Sequence, residues 1–162
     1  MKNRFKSLTI NKKKRILVLG GTSSFAYDIV HAFLENDFEV FATYRSPKPK
    51  SKIHDVNYVF LDISNSNSII KFLKSIDNYR FTHVLSLIGS ESNINKFPTK
   101  DIKGTNMYIK TYVTNLIYLI DNLFERNRIS KNCNLFILSS RSARFGSRDR
   151  YYSVSKSALE GY

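Results

Sequence analysis

The stretch Arg15-Ile-Leu-Val-Leu-Gly20-Gly-Thr-Ser-Ser-Phe-Ala26 decides the fold. Ile16 to Leu19 form an unbroken branched apolar run that stops at a Gly-Gly pair, the pattern of a strand buried on both faces. Helical spacing takes over at once: Phe25, Ile29, Val30, Phe33 and Leu34 recur on one face of a helix over residues 25–36. A buried strand, a turn of small residues and a helix open a βαβ unit. Small residues in that turn let the backbone approach a pyrophosphate, and the helix start offers free N–H groups and a positive dipole end. The strict dinucleotide fingerprint has three glycines. Here Gly20 is kept, and Ser24 and Ala26 stand where the second and third would fall.

The same alternation continues outward. Glu39–Tyr44, Tyr58–Leu61, Val84–Ile88 and Leu135–Leu138 read as strands. Residues 66–76 read as a helix on Ile69, Ile70, Leu73 and Ile76. The longest helix spans 106–126, with Met107, Tyr108, Tyr112, Asn115, Leu116, Leu119 and Leu123 near one side. Another helix starts at Tyr151. Ser46-Pro-Lys-Pro-Lys-Ser51 reads as a loop, because its prolines remove donors, and residues 90–104 are polar and irregular. The order predicts an α/β domain over residues 15–162, a Rossmann-like parallel sheet with helices on both faces. A basic, flexible leader of residues 1–14 precedes it. Ligands of such sheets sit at the carboxyl ends of the strands, so chemistry is expected in the loops after residues 19, 44, 62, 88 and 140.

Composition sets the limits. The 162 residues suit one domain, and 42% apolar with 24% charged residues is ordinary for a globular chain. Cys133 is the lone cysteine, which excludes an internal disulfide and a cysteine-rich zinc site. His31, His54 and His83 are too scattered for a metal centre, and no Gly-x-Ser-x-Gly elbow is present. The apolar runs are too short for a membrane span or a signal-peptide core, so a cytoplasmic protein without a membrane partner is expected. The unusual quantity is a net charge of +13. It gathers in residues 1–15, in Arg45, Lys48, Lys50 and Lys52, and in Arg141, Arg144, Arg148 and Arg150 with only Asp149 among them. Such a chain attracts polyanions at low salt, but most of its aromatic residues fall at core positions of strands and helices, so nucleic acid is not the expected partner.

Tyr152 and Lys156 lie four apart on the last predicted helix and project from one face. An ammonium beside a phenol favours the phenolate and makes the hydroxyl a usable acid and base. Spacing alone is weak, since Tyr44 and Lys48 repeat it, but Ser139 and Ser140 close the preceding strand, where a hydroxyl can bond a substrate carbonyl. After the second strand, Thr43-Tyr44-Arg45 lacks the acid that would bind an adenosine ribose diol. Arg45 either pairs with a 2′-phosphate or is simply solvated. Asp62 either accepts from an adenine amine or serves the start of the next helix.

Together these residues resemble the short-chain dehydrogenases/reductases over residues 15–162. Gly20 to Ala26 looks like that family's glycine-rich loop, and Leu138-Ser-Ser140 with Tyr152-Ser-Val-Ser-Lys156-Ser-Ala-Leu-Glu-Gly161 looks like its serine and tyrosine–lysine signature. The resemblance implies that Ser140 orients a carbonyl, that Tyr152 is the general acid/base, and that Lys156 binds the nicotinamide ribose and favours the phenolate. Asn115 would be the structural and proton-relay asparagine. Gly20, Thr22, Ser23, Ser24, Phe25, Asp62, Gly89 and Lys156 would line the dinucleotide. Arg45 tilts the expected cofactor toward NADP, with NAD as the other possibility. The implied activity interconverts a small-molecule carbonyl and a secondary alcohol, in a homo-oligomer when the chain is full length. Two departures stand out. The fourth-strand motif Asn-Asn-Ala-Gly is Ser86-Leu-Ile-Gly89, and the sequence stops at Tyr162, inside the signature helix, where family members continue. The expectation is therefore a C-terminally truncated domain, with the activity of the chain as it stands left open. The alternatives are a non-catalytic module that binds dinucleotide or polyanion, and a nucleotide-sugar epimerase or dehydratase, suggested by Phe145-Gly146 after Ser139-Ser140.

Overall fold

The computed structural model describes residues 14–45, 53–89, 102–147 and 150–162. Most of the basic leader, Lys48, Lys50 and Lys52, most of the irregular 90–104 stretch, and Arg148 lie outside the described residues. The strands are β1 (Arg15–Leu19), β2 (Glu39–Tyr44), β3 (Val56–Phe60), β4 (Phe81–Ser86) and β5 (Ile129–Ile137). They form one sheet in the order β3-β2-β1-β4-β5, with every neighbouring pair parallel. The helices are α1 (Ser24–Glu35), α2 (Ser66–Ser75), α3 (Ile102–Ile109), α4 (Asn115–Glu125), α5 (Ser142–Phe145) and α6 (Arg150–Gly161). The strand order reverses between β1 and β4, the position at which open parallel sheets bind ligands.

Period-two alternation along β1 divides its apolar run between two cores. Leu17 and Leu19 join Phe41, Phe72, Leu73, Leu116, Leu119 and Leu159, which brings α2, α4 and α6 onto one face of the sheet. Ile16 and Val18 join Val30, Phe33, Leu34 and Val40, which brings α1 onto the other. Burying a Leu, Ile or Phe fully contributes about 1.5–3 kcal/mol, and β1 has no exposed apolar side chain. Among the described residues β5 is a sheet edge, and Phe136 and Leu138 are exposed there. No helix of the described residues is long and apolar enough to cross a membrane.

The structure corrects several expected boundaries. β4 starts at Phe81, earlier than its apolar run, because Thr82 is held by the backbone: its hydroxyl donates to Arg15 O at 2.9 Å and accepts from Arg15 N at 3.2 Å. β5 starts at Ile129 rather than Leu135, through Ser130, Lys131, Asn132 and Asn134, because an edge strand tolerates polar side chains on its open side. The long helix is three segments, with a π-helical turn at Lys110–Thr114 between α3 and α4. Upstream of that wider turn Tyr108 is buried as expected, whereas Met107, expected on the same side, is exposed. Phe25 is likewise exposed and Ala26 takes the buried place at the start of α1.

Candidate active site

The turn after β1 is built by backbone geometry. Gly20 has φ +80°, which disfavours any residue with a side chain. Its N–H donates to Thr43 Oγ1 at 2.8 Å, which ties the turn to the end of β2. Gly21 meets the tightest fit: a Cβ there would lie 2.7 Å from the Ala42 side chain. Sequence reasoning named Gly20 and passed over Gly21 and Thr43. The doubled glycine was the available signal. Ser23 caps α1, its hydroxyl accepting from Ala26 N at 3.2 Å, while Thr22, Ser23, Ser24 and Phe25 are all exposed. That cap takes one of the helix's free first-turn N–H groups, and the others are donors of the kind an anion can meet. Leu87 N donates to Leu19 O at 2.9 Å, which ties the segment leaving β4 to the end of β1.

Arg45 is exposed just beyond β2. Asp62 lies just beyond β3, where its Oδ1 accepts from Ser64 N at 3.0 Å and from Ser64 Oγ at 2.7 Å. The cap of α2 is instead Asn65, whose side chain accepts from Asn67 N and Ser68 N. Asp62 therefore shapes the loop before α2 and does not cap that helix. Asn115 begins α4 directly after the π turn, a type of distortion frequent at functional sites. It is buried, and its Nδ2 donates to Ile63 O at 2.7 Å, which fastens α4 to the Asp62 loop.

The tyrosine–lysine pair stands on α6. Lys156 is buried, with Nζ donating to Leu138 O at 2.7 Å and to Ile88 O at 3.3 Å. The ammonium thus joins the segments that leave β4 and β5. Burial pushes its pKa below the ordinary lysine value. The Tyr152 ring centroid lies 5.8 Å from the same Nζ, within cation–π range. Gly89 leaves room for this arrangement: with φ +148°, a Cβ there would be 2.6 Å from Nζ. Ser140 follows two residues after Leu138, and its hydroxyl accepts from Ser142 N at 3.2 Å. Ser86, at the end of β4, is fully buried and its hydroxyl makes no hydrogen bond among the described residues.

The predicted residues therefore fall into two groups on one edge of the sheet. Gly20, Thr22, Ser23, Ser24, Phe25 and Arg45 frame the ends of β1 and β2. Gly89, Ser140, Tyr152 and Lys156 gather at the ends of β4 and β5. Asn115 and Asp62 meet through the Ile63 loop behind them.

No family model and no curated protein matches the sequence. Solved structures do match the fold. A short-chain dehydrogenase family protein from Francisella tularensis superposes with TM-score 0.77 at 18% identity, over 92% of this chain and 60% of its own. A short-chain dehydrogenase/reductase from Burkholderia multivorans with bound NADP has TM-score 0.77 at 16% identity, over 92% and 70% of the two chains. A carbonyl reductase from Pseudomonas aeruginosa in complex with NADP has TM-score 0.75 at 17% identity, over 91% and 72%. The fold is that of the short-chain dehydrogenases/reductases, a Rossmann-like parallel α/β sheet. The chain spans 60–72% of the length of these three structures.

Proposed function

We propose that this chain is the dinucleotide-binding part of an NADP(H)-dependent oxidoreductase that interconverts a small-molecule carbonyl and a secondary alcohol in the cytoplasm. The observation that carries the reading is the buried Lys156 ammonium, held by Leu138 O and Ile88 O beside the Tyr152 ring. A buried cation at the carboxyl ends of two parallel strands, at the edge where such sheets bind ligands, is costly to maintain for packing alone. The turn at Gly20 and Gly21 with the exposed start of α1 fits a diphosphate, and Arg45 fits a 2′-phosphate. The two superposed structures with NADP bound support the same cofactor class.

When bound, a nicotinamide supplies or accepts the hydride. Ser140 donates a hydrogen bond to the carbonyl oxygen and holds it toward Tyr152. In the reducing direction the Tyr152 hydroxyl gives its proton to that oxygen, and in the oxidising direction the phenolate takes the alcohol proton. Lys156 holds the ribose and, as a cation beside the ring, favours the phenolate. Asn115 keeps α4 and the Asp62 loop in place around the site. The test is a fluorescence titration with NADPH together with an NADPH-oxidation assay on a panel of ketones. Tyr152→Phe should leave NADPH binding intact and lower turnover by about 10²–10⁴-fold. A wild-type chain that neither binds NADPH nor reduces a ketone refutes the assignment.

A further inference from the structure

The arginine cluster that follows β5 has no part in the scheme above, yet it is joined to the site at both ends. Residues 140–147 turn through α5 and pack on α6. Ser157 Oγ donates to Ala143 O at 2.5 Å, and Ser139 Oγ donates to Glu160 Oε1 at 2.6 Å. Near the far end, the Ser147 and Ser153 hydroxyls are 2.9 Å apart. The segment is thus a bracket that leaves the site at Ser140 and returns beside Tyr152.

The bracket and the start of α6 carry Arg141, Arg144 and Arg150, all exposed. Among the described residues only Arg144 has an acidic partner, Glu160, at 3.6 Å, and its side chain stays 75% exposed. Glu160 also receives the Ser139 hydroxyl, so its charge is shared. Arg141 directly follows Ser140, with Cα atoms about 3.8 Å apart across a trans peptide. Resting on the oxidoreductase reading, we propose that the substrate is an anionic carbonyl compound, and that Arg141 and Arg144 bind its carboxylate or phosphate a few bonds from the carbonyl that Ser140 holds. A guanidinium fork matches either anion with two parallel hydrogen bonds. Adjacency to Ser140 favours a short spacer between the two groups.

The experiment uses the chain as it stands and reads ligand binding by NMR, with NADPH binding measured separately by fluorescence. The paired probes are 4-oxopentanoate against 2-pentanone, and hydroxyacetone phosphate against hydroxyacetone. At least one anion should bind about tenfold or more tighter than its uncharged partner, and the pair that shows it tells carboxylate from phosphate. Arg141→Ala with Arg144→Ala should abolish that advantage. Lys131→Ala removes an exposed cation near the opposite end of β5 and should keep it. Equal binding of charged and uncharged probes overturns the inference, as does an equal loss in Lys131→Ala, which would mean a diffuse field. Either result, with NADPH bound normally, leaves the oxidoreductase reading standing. Absent NADPH binding with the anion preference intact would remove that reading and keep the arginine site.

Discussion

Replacing Gly89 with alanine should act on the site through Lys156. The added Cβ would lie 2.6 Å from Nζ and 3.0 Å from Cε, so the ammonium has to move. It is held by Leu138 O at 2.7 Å and Ile88 O at 3.3 Å, and the longer bond is the one that gives way. A hydrogen bond to a charged group contributes about 1.5–3 kcal/mol. Positive φ adds about 1–3 kcal/mol of backbone strain, which Gly146→Ala shares, since Gly146 has φ +73° and, among the described residues, no atom within 4 Å of an added Cβ. The excess cost of Gly89→Ala over Gly146→Ala is therefore the Lys156 part, about 1.5–3 kcal/mol. At about 2–4 °C per kcal/mol this is about 3–12 °C in melting midpoint. Thermal melts of both variants measure it. Combining Gly89→Ala with Lys156→Met gives a double-mutant cycle, in which the pair should cost less than the sum of its parts. Equal destabilisation by the two glycine variants, or strict additivity in the cycle, would refute the steric link between Gly89 and the ammonium.

Further outcomes follow from other contacts. Arg45→Ala should weaken NADPH binding about tenfold or more and leave NADH nearly unchanged, read by fluorescence titration. Equal losses for both nucleotides would assign Arg45 to general attraction. Asn115→Leu removes the donor to the buried Ile63 carbonyl and should destabilise the fold by about 1–3 kcal/mol in urea unfolding. His83 is pushed below the ordinary histidine range, first by burial and then by Lys14. The unfolded chain then binds the proton more readily, so stability from this group is present above about pH 6.5 and is lost as pH falls through the depressed folded value. NMR titration of His83 and melts across that range check the sign.

The sequence showed the parts of the fold that local pattern controls. Ile16 to Leu19 had to be buried on both faces, and the structure divides them between two cores. Tyr152 and Lys156 share a face because four residues make about one helical turn. What stayed hidden depends on distant chain. Gly21 matters because Ala42 of the neighbouring strand is pressed against it, and nothing near Gly21 in sequence says so. The first half of β5 reads as polar coil because an edge strand is not forced to be apolar. The π turn before Asn115 leaves no mark in the apolar spacing, because a 3.6-residue period absorbs a small phase error over a long helix. Arginines at 141, 144 and 150 were plain in the sequence, but the serine bonds that fasten the segment after β5 onto α6 were not.

Lys156 shows why the site and the fold are hard to separate. Backbone pairing between β4 and β5 runs out just past Leu138 N, which donates to Ser86 O at 2.9 Å. Beyond that point the ladder ends, and the carbonyl groups that follow need other donors. Lys156 supplies donors to two of them, Ile88 O and Leu138 O, across chain separations of 68 and 18 residues. The segments leaving β4 and β5 are thus held together by a side chain in place of a ladder. This holds two carbonyl dipoles against a cation, which offsets part of its burial, and it aims the same cation at the Tyr152 ring. Removing the ammonium would loosen these two segments and change the phenol's surroundings together. A loss of turnover in Lys156→Met therefore speaks to chemistry only when NADPH binding and unfolding are measured on the same variant, and only the part of the loss that exceeds the structural effect belongs to the proton step.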